Sequence, residues 1–257
     1  MPPTETSRPP YDAAAEWRMA WRLVLVVLVT LTVVKPLGSV AIVGTVAFTL
    51  AALLQLYLPL WRADRLGHDY DFVGLHLKTW RRDLKIVLIL CTLTFPPFIV
   101  GHHLYMTRAH EWIAALGLAD WLQLPRRELA PSVPEGWVAW AKATGWFLQM
   151  AATHSLGVAL PEETFYRGYL QPQLEERWPA RMRVFGVGVG RAAIVTAALF
   201  ALGHFLGEWN PLRLGPFFPA LVFAWQRNAT GSVVGAITFH ALCNILGEVL
   251  FSLYKPV

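Results

Sequence analysis

The chain has 257 residues, of which 55% are hydrophobic and only 15% are charged, and its mean hydropathy is +0.43. Because soluble globular domains carry about 25% charged residues, this composition argues against a soluble domain and indicates an integral membrane protein surrounded by lipids. The net charge of +5 comes from basic residues spread through the loops, which argues against a nucleic-acid partner. Cys91 and Cys243 both fall in apolar runs, so no disulfide framework is expected.

The N-terminal region differs in composition from the rest of the chain. Residues 1–15, MPPTETSRPPYDAAA, are rich in proline and polar side chains and predict a disordered tail. The apolar stretch behind them lacks a small-residue cleavage site, so we expect an uncleaved first span rather than a signal peptide. Residues 16–142 are expected to hold the N-terminal spans and an interfacial loop, and residues 143–257 a helical core.

Apolar stretches long enough for membrane helices follow one another along the chain. Crossing the hydrocarbon takes about 20 residues as a helix. The first two stretches are separated only by VKPLG, which predicts a helical hairpin, and the sixth is short and contains Pro216 and Pro219. The prediction is an all-α, polytopic membrane bundle of about seven spans, at residues 19–35, 37–60, 84–101, 143–172, 189–206, 214–226 and 231–254.

The longest connection covers residues 102–142. Its segment AHEWIAALGLADWLQL has apolar positions at helical spacing, which predicts an interfacial helix, with a lid over a site as the alternative. The basic residues predict the orientation of the bundle. With a cytoplasmic N-terminus, fourteen lysines and arginines fall inside and seven outside, while Arg167 falls within a helix. This bias predicts a cytoplasmic N-terminus.

Three groups of ionisable or amide side chains interrupt the predicted spans, where such groups are costly and usually functional. Counted from the predicted cytoplasmic edges at about 1.5 Å per residue, the groups lie roughly 14 to 21 Å deep and are expected to meet near the middle of the membrane. They are Glu162, Glu163 and Arg167 in LPEETFYRG, His204 at the end of FALGH, and His240 and Asn244 in FHALCN.

The spacing within the first group predicts different tasks for its two carboxylates. Glu163 and Arg167 are four residues apart, with the acid first, which favours an ion pair on a helix. Glu162 points about 100° away around the helix and is expected to face the site. Pro161 removes a backbone donor at this point, which predicts a bend that opens room for water. Glu208 and Cys243 are expected to be a solvated acid and an apolar filler.

The motifs EETFYR, FALGH and HALCN, in this order on three predicted spans, resemble those of the CAAX-protease and bacteriocin-processing family of intramembrane glutamic endopeptidases, also called the abortive-infection family. The resemblance covers roughly residues 143–254 and implies a catalytic core at 143–257. It implies Glu162 as the general base, His204 as its partner in activating water, and His240 and Asn244 as oxyanion donors. Glu163 and Arg167 would be supporting residues.

The resemblance also implies the partners and the site's chemistry. The substrate would be a peptide or lipidated protein, processed at a CAAX-type end or at a leader or sorting signal, in a membrane that we expect to be the bacterial inner membrane. No cofactor is expected. The alternative is zinc bound by Glu162, His204 and His240, although the HExxH signature is absent. Two other functions remain open, namely a proton- or ion-coupled transporter and a catalytically inert immunity or assembly factor.

Overall fold

A computed structural model describes residues 12–257. The first helix begins at Ala13, behind Asp12, whose side chain accepts hydrogen bonds from the backbone N–H groups of Ala14 and Ala15. An aspartate at this position caps the first turn of a helix. Residues 1–11 of the predicted tail lie outside the described residues, and residues 13–15 are helical rather than part of a tail.

The described chain is a bundle of helices with two small pairs of strands, and the predicted all-α class is confirmed. Strand β1 (Arg127–Leu129) pairs antiparallel with β4 (Tyr254–Pro256), and β2 (Met182–Val184) forms a hairpin with β3 (Val187–Val189). The helices are α1 (Ala13–Val34), α2 (Ala41–Arg65), α3 (Trp80–Thr107), α4 (Ala109–Ala114), α5 (Gly136–Ala152), α6 (Leu160–Glu163), α7 (Gln171–Arg177), α8 (Arg191–Phe205), α9 (Phe217–Thr230) and α10 (Val234–Ser252).

Four helical segments within residues 12–257 are long and apolar enough to cross a membrane, which makes the protein an integral membrane protein. They are Ala13–Ser39, Ile42–Arg65, Trp80–Thr107 and Val234–Ser252. The number is three short of the seven predicted spans, because α8 and α9 have only 15 and 14 residues and the predicted span at 143–172 is divided by two π-helical segments. At 1.5 Å per residue, α8 is roughly 22 Å long, against about 30 Å of hydrocarbon.

Helices α5, α6 and α7 form one continuous helical run, interrupted by two π-helical segments at Thr153–Ala159 and Thr164–Leu170. The second segment lies at the centre of the main core, where Phe165, Tyr166 and Tyr169 are fully or almost fully buried against α1 and α8. Close packing extends to its backbone, because a Cβ on Gly168 would lie 2.5 Å from the carbonyl oxygen of Val73. The core therefore fixes the helical run that carries the predicted carboxylates.

The 102–142 connection contains less helix than its periodicity predicts. Only α4 is helical within AHEWIAALGLADWLQL, and turns follow it. The connection is joined to the bundle by the β1–β4 pair and by Asn210, whose side-chain amide donates to the carbonyl of Leu122 over 3.2 Å. These contacts attach it to the end of α10 and to the loop after α8.

Candidate active site

The helical run changes register on both sides of the predicted carboxylates. Proline lacks an N–H group and crowds the carbonyl four residues earlier, so it disturbs an α-helix. Pro161 and Pro172 each follow a π segment by two residues, and within these segments the N–H of Leu160 bonds to Ser155 and that of Gln171 to Tyr166, five residues back. Residues Leu160–Glu163 therefore form one α-helical turn between two wider segments. Such π segments are frequent at functional sites.

Glu163 is fully buried and holds two partners on one oxygen. Its Oε1 accepts a hydrogen bond from Arg167 Nη1 at 2.9 Å and another from His240 Nδ1 at 2.8 Å. The ion pair that the i, i+4 spacing predicts is thus present. The contact with His240, 77 residues further along the chain, joins the helical run to α10 and was not expected from sequence.

Arg167 is completely enclosed and occupies a cage of aromatic rings. Its guanidinium carbon lies 4.5 Å from the centre of the Phe200 ring and 5.2 Å from that of Phe223. Its Nη2 donates to the backbone carbonyl of Ala220 over 3.3 Å. Ring faces attract a desolvated cation, and the carboxylate of Glu163 supplies the opposite charge. The cage fixes the position of Arg167, and through it that of Glu163.

His240 lies between the two glutamates. With Nδ1 directed at Glu163, its other nitrogen, Nε2, is 3.8 Å from Oε2 of Glu162. The imidazole stacks on Phe223 with ring centres 4.9 Å apart and meets the edge of Phe200. The hydrogen bond and the stacking hold the ring so that Nε2 points towards Glu162.

Glu162 differs from Glu163 in its surroundings. Its side chain is 16% exposed, whereas that of Glu163 is fully buried. Its Oε2 is buried and makes no hydrogen bond to any of the described residues. This carboxylate therefore keeps capacity for an external partner, as expected for the residue predicted to face the site.

His204 lies in the last turn of α8, and its Nδ1 is 3.0 Å from the carbonyl oxygen of Phe200. Since a carbonyl only accepts, Nδ1 carries the proton, and a neutral ring then has a free lone pair on Nε2. His204 lines two cavities. The apolar cavity, of about 530 Å³, includes Phe95, Phe218, His240 and Asn244 in its wall.

The polar cavity, of about 670 Å³, includes Pro161, Glu162, His204, Lys35, Glu208 and Arg213 in its wall. All the predicted site residues are thereby brought together: Glu162, Glu163, Arg167 and His240 by direct contact, and His204 and Asn244 by the cavities they share. No residue of the 102–142 connection lines either cavity, so within residues 12–257 the structure gives no support to a lid formed by it. Cys243 lines the apolar cavity.

Glu208, expected to be a solvated acid, is instead paired on two sides. It accepts hydrogen bonds from Nε and Nη2 of Arg213, and its Oε1 is 3.1 Å from Nζ of Lys35. Partial burial would raise the pKa of Glu208, but the hydrogen bonds and charges of Arg213 and Lys35 outweigh it and hold that pKa below its usual value. Neither cation was recognised as part of the site, because both lie at predicted span ends where basic residues are common.

The residues of the zinc alternative do not form a ligand set. Among residues 12–257, no three histidine, cysteine, aspartate or glutamate side chains are grouped so that they could hold a metal ion. Nδ1 of His240 is bonded to Glu163, and Nδ1 of His204 to a backbone carbonyl, so either ring could offer a lone pair only through Nε2.

Comparison with known proteins agrees with the motifs. Residues 144–246 match the family model described as type II CAAX prenyl endopeptidase Rce1-like. No curated protein and no solved structure showed significant similarity to the chain. The matched segment contains all six predicted site residues. Residues 144–246 are therefore similar to the Rce1-like family, in agreement with the resemblance to the CAAX-protease and bacteriocin-processing family, and the match supports a membrane protease of the CAAX type.

Proposed function

We propose that the protein is an intramembrane endopeptidase in which Glu162 activates water for attack on a peptide bond. The observation that carries the proposal is that Glu162 lines a cavity together with His204, while its buried Oε2 makes no hydrogen bond to the described residues. A carboxylate held in this way can accept a proton from water. Nε2 of His204, as a lone-pair acceptor, would hold the same water from a second direction.

The charges around Glu162 assign a further task to His240. Glu162, Glu163 and Arg167 together carry one negative charge, and a protonated His240 would bring the group to neutrality. In that state both ring nitrogens of His240 donate. Nδ1 is bonded to Glu163, so Nε2 would donate to the oxyanion of the tetrahedral intermediate. The side-chain amide of Asn244 would supply a second donor from the apolar cavity.

Glu162 carries a proton from the attacking water to the leaving group. Water loses this proton as its oxygen bonds to the peptide carbonyl carbon, and Glu162 then gives the proton to the leaving nitrogen as the carbon–nitrogen bond breaks. The products are a carboxylic acid and an amine. Glu163 and Arg167 act only by positioning His240. The substrate would be a peptide or lipidated protein with a CAAX-type end or a leader or sorting signal, processed in a bacterial inner membrane with the N-terminus in the cytoplasm.

The test is a cleavage assay on the full-length protein in detergent and in liposomes. Fluorogenic CAAX-type peptides with and without an S-farnesyl group, and leader-type peptides, are offered to the wild type, Glu162→Gln and His204→Ala. Glu111→Gln removes a carboxylate whose side chain is 64% exposed and serves as the matched control. We expect cleavage by the wild type and the control, and a loss on the order of 1,000-fold for Glu162→Gln.

Retained cleavage by Glu162→Gln would overturn the mechanism, because a neutral amide cannot take the proton of water. Absence of cleavage of every peptide, by a wild type shown to be folded, would instead favour an inert immunity or assembly factor or a transporter built on the same bundle.

A further inference from the structure

Three charged side chains form a second polar group on the wall of the polar cavity, and the catalytic proposal gives them no task. Lys35 follows α1, Glu208 follows α8, and Arg213 lies in the short 3₁₀ turn Pro211–Leu214. We refer to Lys35, Glu208 and Arg213 as the cationic cluster, because together they carry one positive charge. Two cations and one acid on the wall of the cavity that also contains Glu162 make a candidate binding site.

The position of Lys35 is fixed from two sides. Its Nζ donates to the carbonyl of His204, an unpaired backbone acceptor in the last turn of α8, where a cation is favoured. The chain then reverses at Gly207, whose φ of +88° suits glycine and whose Cβ would lie 2.9 Å from Cβ of Lys35. This tight reversal brings Glu208 back to Lys35. The cluster is thus built onto the same turn of chain that carries His204.

The cluster retains donors that its internal contacts do not use. Arg213 directs Nε and Nη2 at Glu208, which leaves Nη1 for another acceptor. Lys35 has three ammonium protons, of which His204 and Glu208 take two. The side chain of Arg213 is 49% exposed, so it is accessible from the cavity mouth. One net positive charge with spare N–H donors is suited to a carboxylate.

Resting on the proposed function, we infer that the cationic cluster binds a carboxylate of the peptide substrate, in the first instance its free C-terminus. Glu162 and Arg213 line the same cavity of about 670 Å³, so a bound peptide can place its scissile bond at Glu162 and its end at the cluster. The cavity would then limit the length of peptide between the cut and the C-terminus. Arg213 and Lys35 are specificity-determining residues on this reading, and Lys35 also positions His204.

Direct binding tests this subsite without depending on catalysis. Full-length Glu162→Gln protein in nanodiscs is titrated with one fluorescent, S-farnesylated CAAX-type peptide in three forms: a free C-terminal carboxylate, a C-terminal carboxamide, and a carboxamide whose last residue is aspartate. We expect the free acid to bind about tenfold more tightly than the carboxamide. Tight binding of the aspartate form would also support the cluster and would assign the carboxylate to a side chain.

Substitution of Arg213 tests whether this residue causes the preference for the free acid over the carboxamide. Arg213→Gln should reduce the acid-to-amide ratio of affinities towards one. Arg213→Lys keeps the positive charge but lacks the paired N–H donors of the guanidinium group, so it should keep part of the preference for the acid. Arg108→Gln is the matched control, because Arg108 is an exposed arginine paired with Glu111 at 3.1 Å and lines neither cavity. It should keep the ratio of the parent protein.

The outcomes separate the two proposals. Equal affinity for all three peptides, or no binding of any of them, would overturn the subsite. The same holds if Arg213→Gln and Arg108→Gln change the ratio alike. If the protein cleaves peptides but shows no preference for the acid, the protease proposal holds and the subsite is wrong. If it prefers the acid but cleaves no peptide, the subsite holds and the protease proposal is wrong.

Discussion

Oε1 of Glu163 and Nδ1 of His240 lie 2.8 Å apart, although 77 residues of chain separate them. This hydrogen bond joins the helical run, which carries both glutamates, to α10. It directs Nε2 of His240 towards Glu162. The buried carboxylate of Glu163 thus determines which nitrogen of the histidine is available to the site, in the way that a buried acid orients a catalytic histidine elsewhere.

The first prediction concerns Glu163 itself. In Glu163→Gln the amide oxygen can still accept from His240, but the charge-assisted hydrogen bond that positions the ring is weakened. We expect kcat to fall on the order of 100-fold, with little change in KM. The measurement is kcat and KM for a cleaved peptide, referred to the amount of folded protein. A purely structural role would lower the yield of folded protein and leave kcat per folded molecule unchanged.

A second prediction concerns the buried ion pair. Arg167→Met removes the cation and leaves the carboxylate of Glu163 buried with His240 as its only described partner. Because breaking a buried pair leaves an uncompensated charge, we expect a loss of about 3–5 kcal/mol in the free energy of unfolding. Unfolding by SDS in mixed micelles measures it. Arg108→Met, which breaks an exposed pair, should change little, and equal losses in both variants would contradict the argument.

Close packing of the second π segment leads to a third prediction. The Cβ of Gly168→Ala would lie 2.5 Å from the carbonyl oxygen of Val73, so the backbone must move. We expect the free energy of unfolding to fall by about 1–3 kcal/mol. Gly101→Ala is the matched control in α3, since its Cβ would meet nothing within 4 Å. Alanine there should be neutral or stabilising, because it forms helix better than glycine.

The paired state of Glu208 predicts a dependence of stability on pH. Its pKa is held below the ordinary value of 4.5, so its contribution to folding is present above 4.5 and is lost as the pH falls through the lower, folded pKa. Glu208→Gln lacks this contribution at every pH. Thermal unfolding of both proteins at about pH 7 and about pH 3.5 should therefore show a difference between them at the higher pH that shrinks at the lower one. A difference that does not change with pH would contradict the pairing.

Metal removal provides a further prediction. Because residues 12–257 contain no three-ligand group of the kind that zinc uses, we expect cleavage to be unchanged by EDTA or 1,10-phenanthroline. The rate is measured before and after incubation with each chelator. Loss of activity that added zinc restores would move Glu162, His204 and His240 into a metal site and would contradict the proposed mechanism.

Much of the fold is readable from the sequence, because apolar length and period reflect local physics. The helices at the predicted spans are present, and the convergence of Glu162, His204 and His240 follows from their equal predicted depth. The ion pair between Glu163 and Arg167 follows from i, i+4 spacing, a local rule. Each of these features depends on residues close together in the chain.

The parts that sequence did not predict depend on tertiary contacts. The bond between Glu163 and His240 spans two helices whose relative rotation no spacing rule supplies. In the sequence, Lys35 served only to predict the orientation of the bundle, and Glu208 was expected to be solvated. Nothing in the sequence around either residue indicates that the reversal at Gly207 brings them together. The π segments were also missed. Pro161 predicts an irregularity in the helix, but the π-helical hydrogen bonding that accommodates the proline depends on how other helices pack around this helical run.

The shortness of α8 has a consequence for how water reaches Glu162. A helix of roughly 22 Å is shorter than the hydrocarbon thickness of about 30 Å, so an α8 that starts at one membrane surface would end, near His204, below the headgroups of the other. Lys35, Glu208 and Arg213 cluster around this end, and their charges need hydration. Local thinning of the bilayer over the polar cavity would supply this hydration. On the proposed function, the hydrolytic water would enter through this thinned region, and the substrate's reacting end would meet it without crossing the bilayer.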